Sequence, residues 1–428
     1  MTAREFSISV IQRLREAGYT ALWAGGCVRD LLMGRSPDDF DVATDATPTQ
    51  VREVFGARRT LAVGESFGVI IVLGPKSAGQ VEVATFRSEG EYHDGRRPSA
   101  VDFSNAQEDA LRRDFTINGM FYDPVAEQVH DYVGGQGDLE RRVIRAIGDA
   151  HARFGEDKLR LLRAVRFASL LDFNLEAETR AAVSQLASQI VIVSAERITQ
   201  EFRKMLISPR RAAAMRLCRD VNLLPVILPE VQEHTIHFAE ERWEEALEVL
   251  EQLGNASFAM ALSVLLRHVP CPETWNRKEG PPHGTVPDVC QRLKLSNDDR
   301  NRILWLVQHA GGLAQAPSLS LAVLKRLAIA PGFAELLQLE RTWARTVGQT
   351  LEPYDWLDHF LEDTPAEELN PAELLTGRDL IGLGYQPGPQ FRDWLDAIRD
   401  AQLNNELSSR DQALTLLHEL IARGAAVD

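Results

Sequence analysis

The sequence predicts an α+β fold in which a small mixed α/β head precedes a long all-α body and tail. Strand-like and helix-like segments alternate through residues 1–135, and strand patterns almost disappear after Gly134–Gly137. Amphipathic helical patterns then dominate residues 138–345, and a last helical segment follows the Pro- and acid-rich stretch 351–371. At 428 residues the chain is too long for one compact core and should form two to four domains.

The elements of the head follow from apolar periodicity and from the residues that break it. A helix is predicted over residues 5–17, and a second begins at Val28–Leu32. A third opens at Thr47-Pro48-Thr49, because Pro is favoured in the first turn of a helix. Short apolar segments bounded by turns predict four strands, at Thr20–Ala24, Phe40–Thr44, Gly68–Leu73 and Gln80–Phe86.

Composition places the chain among folded globular proteins, with 44% hydrophobic and 25% charged residues. Its longest apolar runs are far shorter than a membrane span, and its first residues lack the pattern of a secretory signal. The four cysteines lie far apart, so we expect reduced thiols rather than a zinc site or a disulfide framework. These features predict a cytoplasmic protein with no membrane partner and leave the oligomeric state open.

Charge is distributed unevenly along the chain. The net charge is −15, but residues 351–428 hold 16 Asp and Glu against 5 Arg, a net of −11. Residues 141–166 instead hold seven Arg and one Lys against three acidic residues, a net of +5. The acidic balance therefore belongs to the tail, and the basic segment beside the head leaves nucleic-acid binding open.

The segment Gly25–Asp41 carries two candidate binding features. Gly25 and Gly26 allow backbone N–H groups to close around a phosphate, and Arg29 can add positive charge. Asp39 and Asp41, two apart on an extended segment, should point to the same side and can hold a hard divalent cation through oxygen. Each feature alone is more often an ordinary turn or a chance pair in a loop, and their adjacency favours a site for a metal-bound nucleotide.

Further along the head, Arg112 and Arg113 suit a triphosphate, because a planar guanidinium binds phosphate oxygens bidentately. Asn118 can bond a ribose hydroxyl or brace the loop. The alternative is a solvated basic turn with structural caps. Glu82 is a candidate third metal ligand or catalytic base, or else an outward-facing Glu on an edge strand.

A second dense segment lies in a predicted helix over residues 156–166. There, Asp157 and Arg160 should be neighbours one turn apart, and Arg163 and Arg166 continue the row. The plain interpretation is an exposed, salt-bridged helix. The functional one is base recognition, in which the carboxylate accepts from an exocyclic amino group and the arginine donates to the adjacent ring nitrogen. Such a pair would admit CTP and ATP and refuse UTP and GTP.

These segments, in this order, resemble the bacterial-type (class II) tRNA nucleotidyltransferase and poly(A) polymerase family, which is polymerase-beta-like. The resemblance implies a nucleotidyltransferase head and a two-metal reaction with Mg²⁺ that adds CMP and AMP to the 3′ end of tRNA. It also implies roles for the four blocks as phosphate cradle, metal dyad, nucleotide-binding arginines and amino-acid template. The matching blocks are Gly25–Asp30, Asp39–Asp41, Arg112–Asn118 and Glu156–Ala164.

The choice within the family rests on two segments. Thr85–Tyr92 with Arg96-Arg97-Pro98 resembles the flexible loop of enzymes that add all three nucleotides, and Val63–Gly68 resembles the tRNA-specific branch. We therefore expect CCA addition. An enzyme that adds only the terminal A is the close rival, followed by a poly(A) polymerase. A catalytically inactive RNA-binding protein is the alternative from another class.

The predicted domains are a catalytic head (1–137), a nucleotide-selecting neck (138–205), an RNA-binding body (206–350) and an acidic helical tail (351–428). Within the body, residues 234–310 resemble a metal-dependent phosphohydrolase insert. Such a site needs a His-Asp pair on one helix, where this chain has Arg267-His268. We therefore expect a degenerate region and not a hydrolase.

Overall fold

The computed structural model describes residues 1–64, 68–89, 101–275 and 278–424. All of its strands are short and most belong to the head. They are β1 Ala21–Ala24, β2 Val42–Thr44, β3 Thr60–Gly64, β4 Val69–Leu73, β5 Gln80–Thr85, β6 Arg87–Glu89, β7 Val101–Phe103, β8 Phe121–Asp123, β9 Gln128–His130, β10 Val143–Ile144 and β11 Asn174–Leu175.

Seven strands form one mixed sheet in the order β3-β4-β5-β2-β1-β8-β9. Neighbours are antiparallel except β2 and β5, which run parallel with Val42 opposite Val83. β5 therefore lies inside the sheet, between β4 and β2. The alternative that placed Glu82 on an edge strand is wrong, because β4 covers the outer side of β5.

The helices account for most of the rest of the chain. They are α1 Ala3–Glu16, α2 Gly26–Leu32, α3 Pro48–Phe55, α4 Ala106–Leu111, α5 Gly135–Glu140, α6 Ala150–Glu156, α7 Leu159–Leu171, α8 Ala177–Leu186, α9 Ala195–Leu206, α10 Arg211–Asp220, α11 Leu224–Ile227, α12 Pro229–Val231, α13 Glu240–Gln252, α14 Phe258–Leu266, α15 Val286–Arg292, α16 Asn297–Gln308, α17 Leu321–Ala328, α18 Phe333–Thr346, α19 Glu352–Asp363, α20 Ala366–Leu369, α21 Gly377–Gly382, α22 Gln390–Leu403 and α23 Arg410–Gly424.

The α+β class and the predicted head elements are confirmed, with shifted ends. The predicted helix 5–17 is α1, and the capping box of Thr2 and Glu5 sets its start. The predicted strand Phe40–Thr44 is shorter, because β2 begins at Val42. Asp39 and Asp41 therefore lie just before the strand rather than on it.

The core of the head packs on both faces of the sheet. Trp23 in β1 is fully buried, packs against Phe40 and Tyr122, and donates its indole N–H to Ser7 Oγ at 3.0 Å. Leu22 points to the opposite face with Phe121. Because central strand β1 is buried on both sides, it is a rigid base for the turn that follows it.

The chain divides into two compact units, Met1–Gln232 with Arg292–Lys294, and Glu233–Gln291 with Leu295–Asp428. The first contains the sheet and helices α1 to α12. The second is helical, and its last helices enclose an apolar cluster that includes Leu380, Ile398 and Leu417. The segment boundaries at 137, 205 and 350 stay predictions. Across the described residues, no helix combines the length and apolar character that crossing a bilayer requires.

Candidate active site

A cleft of about 410 Å³ in the first unit gathers most of the residues singled out from the sequence. Ten of the thirteen candidates line it; Asp39, Glu82 and Arg166 do not. Two further residues, Asp114 and Phe167, complete the lining. The lining residues are Gly25, Gly26, Arg29, Asp41, Arg112, Arg113, Asp114, Asn118, Asp157, Arg160, Arg163 and Phe167.

The turn between β1 and α2 forms one wall of this cleft. Gly25 has φ 73° and ψ −127°, a conformation that is open to glycine and costly for any other residue. A Cβ atom on Gly25 would lie 3.0 Å from Nη1 of Arg113. Glycine is thus required twice, for the backbone path and for the close approach of an arginine.

Arg29 is held in place by its neighbours rather than free in the cleft. Its Nε and Nη2 each donate to a carboxylate oxygen of Asp30 at 2.9 Å, and its Nη1 donates to Asn118 Oδ1 at 2.8 Å. Asn118 in turn donates to Asp114 Oδ1 at 3.2 Å. The predicted role of Asn118 as a brace for its loop fits these contacts.

The paired arginines share one buried carboxylate. Asp109 is 1% exposed, and its Oδ1 accepts from Arg112 Nε at 2.8 Å while its Oδ2 accepts from Arg113 Nη2 at 2.9 Å. Burial alone would raise the pKa of Asp109, but the two guanidiniums outweigh that effect and hold its pKa below the usual range. Asp109 therefore stays ionised and fixes both guanidiniums at the cleft.

The acidic candidates meet beside β2. The N–H of Ala24 donates to the carbonyl of Asp41 at 3.0 Å, which fixes Asp41 at the end of the strand. The parallel pairing of Val42 with Val83 puts Asp41 and Glu82 at matching positions of adjacent strands. Although Asp41 reaches solvent, desolvation, Glu82 and Asp39 raise its pKa to about 6, against the lowering effect of Arg113.

These carboxylates suit a hard cation only in part. Among the residues that the structure describes, no group of three or more His, Cys, Asp or Glu side chains is close enough to hold a metal ion on its own. The mutual repulsion felt by Asp41 is the kind that a divalent cation relieves. Because Mg²⁺ takes one or two carboxylates and completes its shell with water and substrate phosphates, the donor set fits Mg²⁺ bound together with a nucleotide.

The prediction of Asp157 and Arg160 as partners on one helix is wrong. Helix α7 begins only at Leu159, and Asp157 lies in the extended joint after α6 (φ −143°, ψ 107°). Its carboxylate instead accepts from both Nη atoms of Arg197, at 3.2 and 2.6 Å. The side chain of Asp157 explains the break between the helices, because its Oδ1 accepts a hydrogen bond from the backbone N–H of Leu159 at 3.0 Å and so caps the start of α7.

Arg160 has its own partners. Its side chain contacts the carboxylate of Glu156 and donates to the carbonyls of Arg153 at 2.8 Å and Arg112 at 3.2 Å. The last contact ties α7 to the arginine block of the head. Both Asp157 and Arg160 still line the cleft, so their separation as a pair does not remove them from the candidate site.

Arg163 and Arg166 divide between the cleft and its support. Arg163 lines the cleft and donates from Nε to Asp114 Oδ2 at 2.7 Å. Arg166 lies behind it, 2.8 Å from the buried Glu201. Phe167 joins the two groups, since the guanidiniums of Arg163, Arg166 and Arg29 lie 5.2, 4.3 and 5.4 Å from its ring centre.

Sequence reasoning missed the residues that hold the candidate ligands. Asp109 lies three and four residues before its arginines, and that helical spacing is a signal the sequence offers. Asp114 lies within the block Arg112–Asn118, but no role was predicted for it. Arg197 pairs with Asp157 across 40 residues, and Phe167 is an ordinary core-like aromatic, so neither leaves a local signature.

In the second unit, the Arg267-His268 pair has a structural environment. Arg267 Nη1 donates to the buried Glu340 at 2.5 Å and its guanidinium stacks on Trp343 at 4.2 Å. Desolvation, with the positive charges of Arg242 and Arg267, lowers the pKa of His268 to about 4. Arg267 is therefore held by an ion pair and by packing against an aromatic ring, and His268 lies in a positively charged, desolvated environment.

Comparison with known proteins places this cleft in a recognised context. A family model described as "Poly A polymerase head domain" matches residues 21–145. A second, described as "Probable RNA and SrmB- binding site of polymerase A", matches residues 172–235. The cleft is lined by residues of the first region and by residues 157–167, which lead to the second.

Two relatives that match along almost the whole chain are both CCA-adding enzymes. The chain is 34% identical over 417 residues to the CCA-adding enzyme of Geobacillus thermodenitrificans, covering 95% of each chain. It is 33% identical over 419 residues to that of Lactobacillus helveticus, again covering 95% of each. The crystal structure of the Bacillus stearothermophilus CCA-adding enzyme in complex with CTP matches with a TM-score of 0.76 at 27% identity, over 100% of both chains.

Proposed function

The chain belongs to the CCA-adding enzyme family, and from that membership we propose that it adds CMP and AMP, from CTP and ATP, to the 3′ end of tRNA. The observation that carries the proposal is the cleft itself. It combines anion-binding arginines, a carboxylate at a strand end and a second carboxylate beside the nucleotide space. A nucleotidyl transfer that is selective for the base requires three things: binding of the triphosphate, a carboxylate for the metal ion and a group that recognises the base.

In the proposed reaction, the 3′ hydroxyl oxygen of the RNA bonds to the α-phosphorus and the bridging P–O bond to the β-phosphate breaks. Pyrophosphate leaves, and the hydroxyl proton passes to solvent. Arg112 and Arg113, fixed by Asp109, would bind the triphosphate and stabilise the charge that develops on its oxygens. The backbone of Gly25 and Gly26 and the side chain of Arg29 would complete the phosphate site.

We propose Mg²⁺ as the cation, held by Asp39 and Asp41 together with the triphosphate oxygens, and Glu82 stays a candidate third ligand. When bound, the cation would lower the pKa of the attacking hydroxyl and bind the triphosphate oxygens. The position of Asp41 supports this assignment, because its carboxylate lines the cleft beside the arginines that would bind the triphosphate. Cytoplasmic localisation is proposed on the four free cysteines, as predicted from the sequence.

Asp157 is proposed to select the base. An ionised carboxylate offers about four acceptor positions, and three of those on Asp157 are used by Leu159 and Arg197. The remaining position, on Oδ2, can accept from the exocyclic amino group of cytosine or adenine. Uracil and guanine present a carbonyl oxygen there, which a carboxylate repels. Arg160 and Arg163, both on helix α7, would position the base.

Replacing Asp41 by Ala tests the catalytic assignment. We expect transfer from labelled CTP to tRNA lacking its CCA end to fall by at least about a thousandfold, since the cation would lose its fixed ligand. The melting temperature should stay near the wild-type value, because the variant removes mutual repulsion. The matched control is Glu53→Gln, an exposed carboxylate on α3, which should leave turnover unchanged. Substantial turnover by Asp41→Ala would remove Asp41 from the mechanism.

A further inference from the structure

The aromatic ring of Phe167 lies among the positive charges of the cleft. Three guanidiniums are placed over it, those of Arg166, Arg163 and Arg29, at 4.3, 5.2 and 5.4 Å from the ring centre. A cation within about 6 Å of a ring centre is attracted, because the face of the ring carries partial negative charge. Phe167 lines the cleft, yet none of the roles proposed above uses its ring.

Buried aromatic packing fixes the position of this ring. Phe167 packs against the fully buried Phe115 in a T-shaped arrangement, with ring centres 5.8 Å apart and ring planes at 76°. Phe115 packs in turn against Phe154, which is also fully buried, at 6.4 Å. The half-buried Phe167 therefore connects the core to the cleft and gives the guanidiniums a firm surface.

Arg29 is one of the two guanidiniums of this group that line the cleft. A guanidinium has five N–H donors. Three of those on Arg29 donate to Asp30 and Asn118, so within the described residues the other two remain for a ligand. The attraction of the Phe167 ring acts on the whole cation and helps to place Arg29 without another oxygen acceptor.

Arg163 is the other cleft-lining guanidinium, and it is placed in a similar way. Its Nε and Nη2 contact Asp114 Oδ2 at 2.7 and 2.6 Å. Its Nη1 lies 4.0 Å from Glu201 Oε1, which is too far for a hydrogen bond. Nη1 therefore has donors left for a ligand in the cleft, while the carboxylate and the ring hold the rest of the guanidinium.

The three guanidiniums repel one another, and the repulsion is evident at Arg166. Desolvation lowers the pKa of Arg166 against the attraction of Glu201, and the positive charges of Arg163 and Arg29 lower it further. Phe167 contacts all three guanidiniums, so its ring offsets part of this repulsion. Without the ring, the two cleft arginines would be free to move apart.

We propose that Phe167 is a positioning residue, whose ring holds Arg29 on the phosphate side and Arg163 on the base side of the cleft in the arrangement that binds the incoming nucleotide. This inference rests on the proposed function and adds a residue to its nucleotide site. Because the attraction depends on the electron density of the ring, its loss can be separated from the loss of apolar packing.

The test replaces Phe167 by mono-, di- and trifluorinated phenylalanine, which nearly keep the shape of the ring and withdraw electron density from its face. The dissociation constant for CTP with Mg²⁺, measured by calorimetry without RNA, should rise with each added fluorine, by about tenfold in total. The melting temperature should stay near the wild-type value. Phe154 is the matched control, since its ring packs on the same Phe115 but does not line the cleft. The same series at Phe154 should leave the dissociation constant for CTP unchanged.

Two ordinary variants complete the test. Phe167→Leu should raise KM for CTP by about tenfold and leave KM for tRNA unchanged, whereas Phe154→Leu should lower the melting temperature without raising KM for CTP. Equal rises in KM for CTP in both variants, or an affinity for CTP that is independent of the number of fluorines, would overturn the inference. If the wild type binds CTP in this way but transfers no nucleotide, the proposed function fails and the role of Phe167 stands. A wild type that binds no CTP would overturn both.

Discussion

For Asp157, the sequence predicted the location in the cleft correctly but not the residue that it contacts. Its sequence spacing predicted that Arg160 is its neighbour on one helix, whereas in the structure its carboxylate pairs with Arg197 on α9. The bidentate contact fixes the plane of the carboxylate, and it leaves one acceptor position on Oδ2 free for a base. A template carboxylate needs this fixed orientation, since a rotating one would not discriminate amino groups from carbonyls.

Asp157→Ala should therefore weaken base selection more than triphosphate binding. We expect the ratio of kcat/KM for CTP over UTP to fall by roughly 10- to 100-fold, the scale of one well-placed hydrogen-bond contact to a base edge. KM for pyrophosphate in the reverse reaction should stay within about twofold, because the arginines remain in place. The measurement is steady-state turnover with each NTP; an unchanged ratio would reject the template role.

Arg197→Gln is the companion variant. It leaves the carboxylate present but removes its bidentate partner, so selectivity should fall by less than in Asp157→Ala. A larger loss in Arg197→Gln than in Asp157→Ala would indicate that Arg197, and not the carboxylate, reads the base.

At the scale of elements, the turn between β1 and α2 links the sheet to the cleft. Gly25→Ala should lower the free energy of unfolding by about 1–3 kcal/mol, because a Cβ is strained at this backbone conformation. It should also raise KM for CTP, since the Cβ would lie 3.0 Å from Nη1 of Arg113 and displace it. Chemical denaturation and steady-state kinetics measure the two effects.

Gly18→Ala controls for backbone strain alone. Gly18 also has a positive φ of 92°, but no atom lies within 4 Å of the position its Cβ would take. Its replacement should destabilise the fold while leaving KM for CTP unchanged. A similar rise in KM for both variants would show that the effect of Gly25→Ala comes from general destabilisation.

The elements also show what sequence could and could not predict. Strong signals were read correctly: the periodic helix α1, the run of branched residues in β4, and the Gly-Gly turn. Strands β8 and β9 were missed because three residues cannot show an alternating pattern. The break at Asp157 was missed because a single capped joint between two helices looks like continuous helix in the sequence.

For the site, local motifs located the residues but not the contacts between them. Asp114, Asn118 and Arg29 form a chain that reaches Arg163 across 49 residues, and only the fold reveals such long-range pairs. The alternative that placed Glu82 on an edge strand was wrong for the same reason, since strand order depends on pairings far apart in sequence. Segments Val63–Gly68 and Thr85–Tyr92 with Arg96–Pro98 lie partly outside the described residues, so the interpretation of them stays a prediction.

At the scale of the whole molecule, charge separates along the chain. The tail carries a net charge of −11 and the segment 141–166 a net of +5. Arg142→Gln, at an exposed residue of that basic segment, should weaken tRNA binding and reduce the slope of log K against log salt by about 0.9, as for one lost duplex contact. Glu367→Gln with Glu368→Gln, both exposed in the tail, should not weaken it.

A salt titration of tRNA binding measures both variants. If tail carboxylates contributed directly to the RNA interface, removing them would change affinity as much as removing the arginine. That result would contradict the expectation that the acidic tail takes no direct part in RNA binding.

The most direct test of the central claim is nucleotide incorporation by the wild-type protein with each NTP separately. Two acceptors are compared, tRNA lacking its CCA end and tRNA already ending in CC. The account predicts CMP on the first acceptor, AMP on the second, no lasting incorporation of UMP or GMP, and no product longer than CCA. Addition of AMP alone, a growing poly(A) tail, or no transfer to either acceptor would contradict it.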